Sequence, residues 1–225
     1  MTTGTRGRKP STRSGTGGSQ SSRTTPILLI AFGLIAVALV AAIVLSDEEP
    51  IGSGNEYGEP TVSGESLPAF GDAPSLAADP AVGATAPVVT GQDFDGSTVS
   101  IGGEGTPTAI IFLAHWCSHC QAEVPLVQSW LDSGGGVEGV DFVSVTTSSS
   151  SGAQNWPPSE WLEREGWSAP NIRDDQTNSV LNAYGGSSFP YWVFLDGDGN
   201  VALRLAGEID IATLELAMNN LADAG

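Results

Sequence analysis

Two cysteines, Cys117 and Cys120, stand three residues apart in the run Ala114-His115-Trp116-Cys117-Ser118-His119-Cys120-Gln121, which also contains both histidines of the chain. Thiols at this spacing meet when they share one helical turn, because residues i and i+3 lie on the same face. Such a pair can cycle between dithiol and disulfide. One thiolate attacks a disulfide, and the second thiol displaces the partner from the mixed disulfide so formed. In that scheme Cys117 is the nucleophile and Cys120 the resolving thiol. The chain has no third cysteine, so any disulfide within it is the one in this run. His119, when protonated, would stabilise a Cys117 thiolate and make the disulfide a stronger oxidant. The bland alternative for His119 is a solvated histidine on an exposed helix start. His115 is expected at the surface. Trp116 fits either a partner-binding groove or a packing role.

Other chemistries of the same residue types are excluded or disfavoured. Structural zinc wants four tetrahedral ligands, and His115, Cys117, His119 and Cys120 are too crowded within six residues to supply them. Covalent haem attachment needs histidine after the second cysteine, where Gln121 stands. Copper delivery would ask for a further, distant histidine, and the sequence has none. The run Asp196-Gly197-Asp198-Gly199-Asn200 superficially resembles a calcium loop. However, Val201 occupies the position that needs glycine, and Gly207 the position of the bidentate glutamate. No metal and no cofactor is expected.

The elements that must position the thiols are legible from hydrophobic period and turn residues. Thr108–Leu113 is a continuous apolar run, as expected of a central strand covered on both faces. A helix-like segment follows the cysteines to Leu131 and is stopped by Gly134-Gly135-Gly136. Upstream, 86–90 and 98–101 read as a hairpin around Asp95-Gly96. Downstream, strands are expected at 141–146 and 171–173, and a hairpin of 191–195 with 201–205. Helices are expected over 159–165 with Ser159 as its cap, over 177–184 ended by Gly185-Gly186, and from Asp210 onward. The order predicts an α/β domain with a central mixed sheet and helices on both faces, over 82–225.

Ahead of that domain the composition changes twice. Residues 1–25 hold five of the eight basic residues and no hydrophobic run, and read as a disordered basic tail. Ile27 to Leu45 follow without a charge. At about 1.5 Å per residue this stretch matches the hydrocarbon thickness of a bilayer, so 26–45 is expected to be a single transmembrane helix. The alternative is a cleaved signal peptide, but this apolar run is longer than the usual core of about 7–15 residues and its small-residue pairs lie inside it; either way the body faces an extracytoplasmic space. Basic residues before it and Asp47-Glu48-Glu49 after it predict a cytoplasmic N-terminus and an extracytoplasmic body. Residues 46–81, rich in Gly, Pro, Ser and acidic residues, read as a flexible linker. All 26 acidic residues lie from Asp47 onward against three basic ones, a balance that repels nucleic acid.

Three motifs support a more specific reading. They are Gly83 to Pro87 opening the hairpin, Trp116-Cys117-Ser118-His119-Cys120 followed by Glu123 and Pro125, and Ala183-Tyr184-Gly185 with Phe189-Pro190 leading into a strand. Together they resemble the thioredoxin superfamily, and within it the membrane-anchored, extracytoplasmic TlpA/ResA-type proteins. The resemblance covers roughly 82–224. It implies a thiol–disulfide oxidoreductase that reduces, forms or isomerises disulfides in exported proteins, apocytochrome c among them. Its partners would be protein thiols or disulfides and a membrane or extracytoplasmic electron partner. It further implies a cis Pro190 beside the cysteines, with a partner strand lying along Trp116, Phe189 and Pro190. The Cys-x-His-Cys pattern also resembles DsbA-type oxidases and protein disulfide isomerases, so the direction of electron flow stays open. Ile111 stands where thioredoxins carry a buried acid, which leaves water, His119 or Glu123 to take the Cys120 proton. Two rival classes are a peroxiredoxin-like thiol peroxidase and an anchored, non-catalytic binding module. The first lacks its Pro-x-x-x-Thr/Ser-x-x-Cys loop, since Phe112 to Trp116 precede Cys117.

Overall fold

The computed structural model describes residues 56–71 and 79–224. The basic tail, the apolar span 26–45 and the first ten residues of the expected linker lie outside the described residues. Among the described residues no helix is long and apolar enough to cross a membrane.

Among the described residues, eight strands and four helices make two sheets and their cover. The larger sheet has the order β6-β5-β4-β7-β8. Its strands are β4 (Thr108–Leu113), β5 (Asp141–Thr146), β6 (Asn171–Arg173), β7 (Tyr191–Leu195) and β8 (Val201–Ala206). β4, β5 and β6 run parallel, while β7 is antiparallel to both β4 and β8. The expected mixed sheet is therefore present, with β4 at its centre and buried along its whole length.

Side-chain alternation along β4 and β7 divides the core in two. Ile110, Phe112, Tyr191 and Val193 face one way, toward helix α3 (Ser179–Ala183) and the smaller sheet. Ile111, Leu113, Trp192 and Phe194 face the other way. There they meet α1 (Ser118–Asp132), α2 (Pro158–Arg164) and α4 (Ile211–Ala224). Period-two alternation delivers two apolar faces from one strand, and each is covered by a layer.

The smaller sheet corrects the expectation of a linker up to residue 81. It consists of β1 (Thr61–Ser63), β2 (Val88–Gln92) and β3 (Thr98–Ile101), all antiparallel. β1 comes from the supposed linker and pairs Val62 with Val89. Further along, the Leu67 N–H bonds Ala183 O at 2.8 Å and the Phe70 N–H bonds Gly185 O at 2.7 Å. Leu67 is buried. Asp79, also buried, holds Arg204 of β8 through two hydrogen bonds, one of 2.8 Å from Nε. A few isolated apolar and charged anchors hold this segment in place, and they vanish in a composition average dominated by Gly, Pro and Ser.

A second correction concerns Ser159. It lies inside α2, whose N-cap residue is Pro157. Its N–H and hydroxyl both donate to the Glu56 carboxylate, at 3.0 and 2.8 Å. The cap is thus supplied from 103 residues away by the N-terminal segment.

Candidate active site

β4 ends at Leu113, and a short turn carries the chain into α1. Cys117 is the N-cap residue, with extended backbone angles of φ −75° and ψ 121°. Its N–H reaches back to Ala114 O, and its C=O accepts the first bond of the helix from the Gln121 N–H, both at 3.0 Å. No side chain caps the helix, and its first turn holds no acidic residue. The half-buried Cys117 thus opens a helix whose first N–H groups no side chain caps.

Cys120 occupies the opposite environment. It is wholly buried, its Sγ accepts the Ala114 N–H at 3.5 Å, and burial pushes its thiol far up. Both cysteines are free thiols in this structure.

The Phe189–Pro190 peptide is cis, as the resemblance implied, and so is Trp156–Pro157, which nothing in the sequence reading foresaw. The Cys117 Sγ–H points at Phe189 O, 3.6 Å away. Trp116 meets Phe189 edge to face, with ring centroids 5.9 Å apart, and is 37% exposed. Its indole N–H donates to Ser148 O at 2.7 Å. Trp116, Cys117, Phe189 and Pro190 are thus brought together, and Trp116 both packs and faces solvent.

His119 is exposed and its Nδ1 pairs with Glu208 Oε1 at 2.6 Å. It is neither a free surface histidine nor a group dedicated to Cys117 alone.

His115 departs from its expected surface position. It is 1% exposed, its Nδ1–H donates to Gln154 O at 2.7 Å, and its Nε2 accepts the Ser150 N–H at 3.0 Å. Burial lowers its proton affinity, which suits a neutral ring that donates on one side and accepts on the other. Its C=O accepts Gln121 Nε2–H at 2.9 Å and Asn155 Nδ2–H at 3.4 Å, and Gln154 Nε2–H bonds Trp116 O at 3.2 Å. The 148–155 loop is thereby fastened to the turn that carries the cysteines.

Glu123 settles inside. It is 1% exposed, one turn beyond Cys120 on the same helix face. Oε1 accepts the Ile209 N–H at 3.2 Å, and Oε2 has no hydrogen-bond partner among the described residues. Burial raises its pKa to about 7, the Ile209 N–H opposes that rise, and the charge of Glu208 adds to it. An acid is therefore buried at the site although Ile111 is apolar; it comes from the helix and not from the strand.

Glu208 and Ile209 are site residues that sequence reasoning missed. They follow β8, 89 and 86 residues from their partners, and no local motif marks them.

A family model described as a thioredoxin-like domain matches residues 94–222. No curated protein matches the sequence significantly. Among solved structures, StoA from Bacillus subtilis is 24% identical, the match covering 61% of this chain and 98% of StoA with a TM-score of 0.51. MTB DsbF, solved in mixed oxidised and reduced forms, is 24% identical and covers 59% and 93%, with a TM-score of 0.48. A thiol:disulfide interchange protein of the thioredoxin family from Chlorobium tepidum is 21% identical and covers 61% and 94%, with a TM-score of 0.48. StoA is similar to the chain in fold. The family match spans more than half of the sequence and contains the thiol pair, the cis-proline strand and the covering helices: the chain belongs to the family of thioredoxin-like domains.

Proposed function

We propose that the protein is a thiol–disulfide oxidoreductase acting on protein substrates through Cys117 and Cys120. The observation that carries this reading is the unequal pair: a half-buried Cys117 at an uncapped helix N-terminus, and a sealed Cys120 one turn on. In the reducing direction, the Cys117 thiolate attacks one sulfur of a partner disulfide. A Cys117–partner disulfide forms and the other partner sulfur leaves as a thiolate. Cys120 then gives its proton to Glu123 and attacks Cys117 Sγ. The Cys117–Cys120 disulfide forms, the partner leaves as a second thiolate, and two electrons have passed to it. Oxidation of a substrate dithiol is the same path reversed. Glu123, with its pKa near 7, is matched to accept and return that proton at neutral pH.

Trapping tests the reading. Cys120→Ser should hold substrates as mixed disulfides on Cys117, and Cys117→Ser should hold none. If Cys120→Ser traps no protein in cells, the reading fails. Rapid peroxide consumption by Cys117 in its place would identify a peroxidase. Direction follows from the reduction potential: about −270 mV, as in thioredoxin, marks a reductase, and about −120 mV, as in DsbA, an oxidase. Glu208 counters the positive charge that His119 would bring to the pair, which favours the reductase.

The substrate class in this reading is cysteine pairs of exported proteins, with apocytochrome c haem-site cysteines as one candidate. The support is the uncharged stretch Ile27–Leu45 between basic and acidic flanks, which would tether the domain outside the cytoplasm. Membrane fractionation of the full chain and of a chain lacking 26–45 checks the tether. Equal solubility of the two would remove it.

A further inference from the structure

The loop 148–155 that follows β5 contains no helix or strand, yet it is bonded closely to the two residues that precede Cys117. Gln154 O can only accept, so the His115 Nδ1 that meets it at 2.7 Å carries the ring proton. The Ser150 N–H can only donate, so Nε2, 3.0 Å from it, is bare. Together the two bonds fix a neutral, buried ring in one tautomer, with both nitrogens spent on one loop. The same loop grips Trp116. The indole N–H donates to Ser148 O at 2.7 Å, and the Trp116 C=O accepts Gln154 Nε2–H at 3.2 Å. Ser148 and Asn155 hold positive φ values of 50° and 58°, a region that non-glycine residues enter only when their surroundings hold them there. Other elements hold the loop as well. Asn178 Oδ1 accepts the Ser148 N–H at 3.0 Å, and the Tyr57 hydroxyl donates to Ser149 O at 3.0 Å.

Trp116 thus joins two segments, Phe189 through its ring and Ser148 through its indole N–H. Neither segment is charged: no Asp, Glu, Lys or Arg occurs in 147–157 or in 185–190, in a chain of formal net charge −18. His119 and Glu208, at the start of α1, pair with each other. We propose that loop 148–155 is a second wall of the substrate groove and that His115 is the positioning residue that holds it there. The occupant is an extended, uncharged peptide segment with an apolar residue beside its cysteine. The inference rests on the dithiol reading above and deepens it. Trp116 and Phe189 supply the apolar contact, and Ser150 and Ser151 stand exposed on the loop to meet a polypeptide backbone. His115 is buried, so it acts through the loop and not by touching the peptide.

The test uses the full-length chain with Cys120→Ser as parent. Cys117 then attacks a peptide disulfide, a Cys117–peptide disulfide forms, and the other peptide half leaves as a thiolate, whichever way the native reaction runs. Short peptide disulfides with phenylalanine, aspartate or lysine beside the cysteine are compared with hydroxyethyl disulfide, and the rate of mixed-disulfide formation is read by mass. The parent should favour the phenylalanine peptide. Adding His115→Leu should slow that peptide by about 10- to 10²-fold, and by at least about fivefold more than it slows hydroxyethyl disulfide. His115→Asn, which can still donate toward Gln154 O, should recover part of the difference. Ser151 probes the wall without touching the core, and decides the matter should His115→Leu not fold. Ser151→Lys should speed the aspartate peptide and slow the lysine peptide, and Ser151→Asp the reverse, each by about two- to tenfold at low salt. Equal slowing of peptide and hydroxyethyl disulfide by His115→Leu, or Ser151 charges that leave both charged peptides unmoved, overturns the wall. A parent that prefers a charged peptide overturns the choice of occupant. A parent that forms a mixed disulfide with none of these compounds refutes the dithiol reading itself, and this inference with it.

Discussion

At the residue scale, two sulfurs of one dithiol sit in opposed surroundings, and proton traffic at the buried one becomes the controlling feature. Cys120 is stabilised as the neutral thiol by burial, and the nearest buried acid is Glu123. Glu123→Gln should slow release of a mixed disulfide by roughly 10²-fold above neutral pH, measured in single turnover. The same variant carries a stability signature. The Glu123 pKa is 4.5 in the reference state and about 7 when folded, so between those values the folded chain holds a proton that the unfolded chain has lost. Its contribution therefore falls as pH rises through that window. Glu123→Gln should match wild type near pH 4 and exceed it at pH 8 by on the order of 2 kcal/mol, read from denaturant unfolding at the two pH values. His115 has the opposite sense for a base. Burial lowers its proton affinity below the ordinary histidine value of 6.5, so its contribution is present above that value and declines as pH falls below it. His115→Ala leaves the Ser150 N–H and Gln154 C=O without their partner, and should cost about 1–3 kcal/mol in thermal or chemical unfolding at pH 8.

At the scale of elements, the site is a junction of pieces that are far apart in sequence. β4 and α1 were legible because a six-residue apolar run and a cysteine pair announce themselves locally. The cis-proline strand was legible through Phe189-Pro190 and its resemblance to a family. β1 was not, since three residues whose side chains are all exposed carry no period. The place of His115 was not legible either, because it depends on a loop 35 to 39 residues away that folds back to meet it. Glu56 escaped notice because an acidic residue among Gly and Pro reads as solvated, whereas here it binds α2. The Asp79–Arg204 pair shows the cost of such long-range anchoring. Both side chains are buried, and Arg204 draws the Asp79 pKa down, so the contribution of the pair is present above the usual carboxylate range and lost as pH falls through it. Arg204→Leu alone should destabilise by about 3–5 kcal/mol by stranding a buried carboxylate, and Arg204→Leu with Asp79→Leu should recover much of that loss in a thermal melt.

At the scale of the whole molecule, the domain begins earlier than its thioredoxin-like signature. The family match starts at residue 94, yet Glu56, Val62, Leu67 and Asp79 are built into sheet, core and ion pair. A chain starting at residue 56 should therefore keep the thermal midpoint of the longer protein. One starting at residue 82 should lose several kcal/mol, because it forfeits a buried leucine and strands Arg204. Equal midpoints for the two would show that the early segment is only draped on the surface.

The arrangement at the groove also has an optical consequence. Of the six tryptophans, Trp116 alone is exposed, and it stands next to Cys117. Trp130, Trp161 and Trp192 are buried, and Trp156 and Trp167 are intermediate. If protein substrates dock over the thiols as proposed, Trp116 should lose water and its emission should shift to the blue, a change that a Trp116→Phe variant should lack. Fluorescence of the unlabelled chain would then report docking through the side chain that neighbours Cys117.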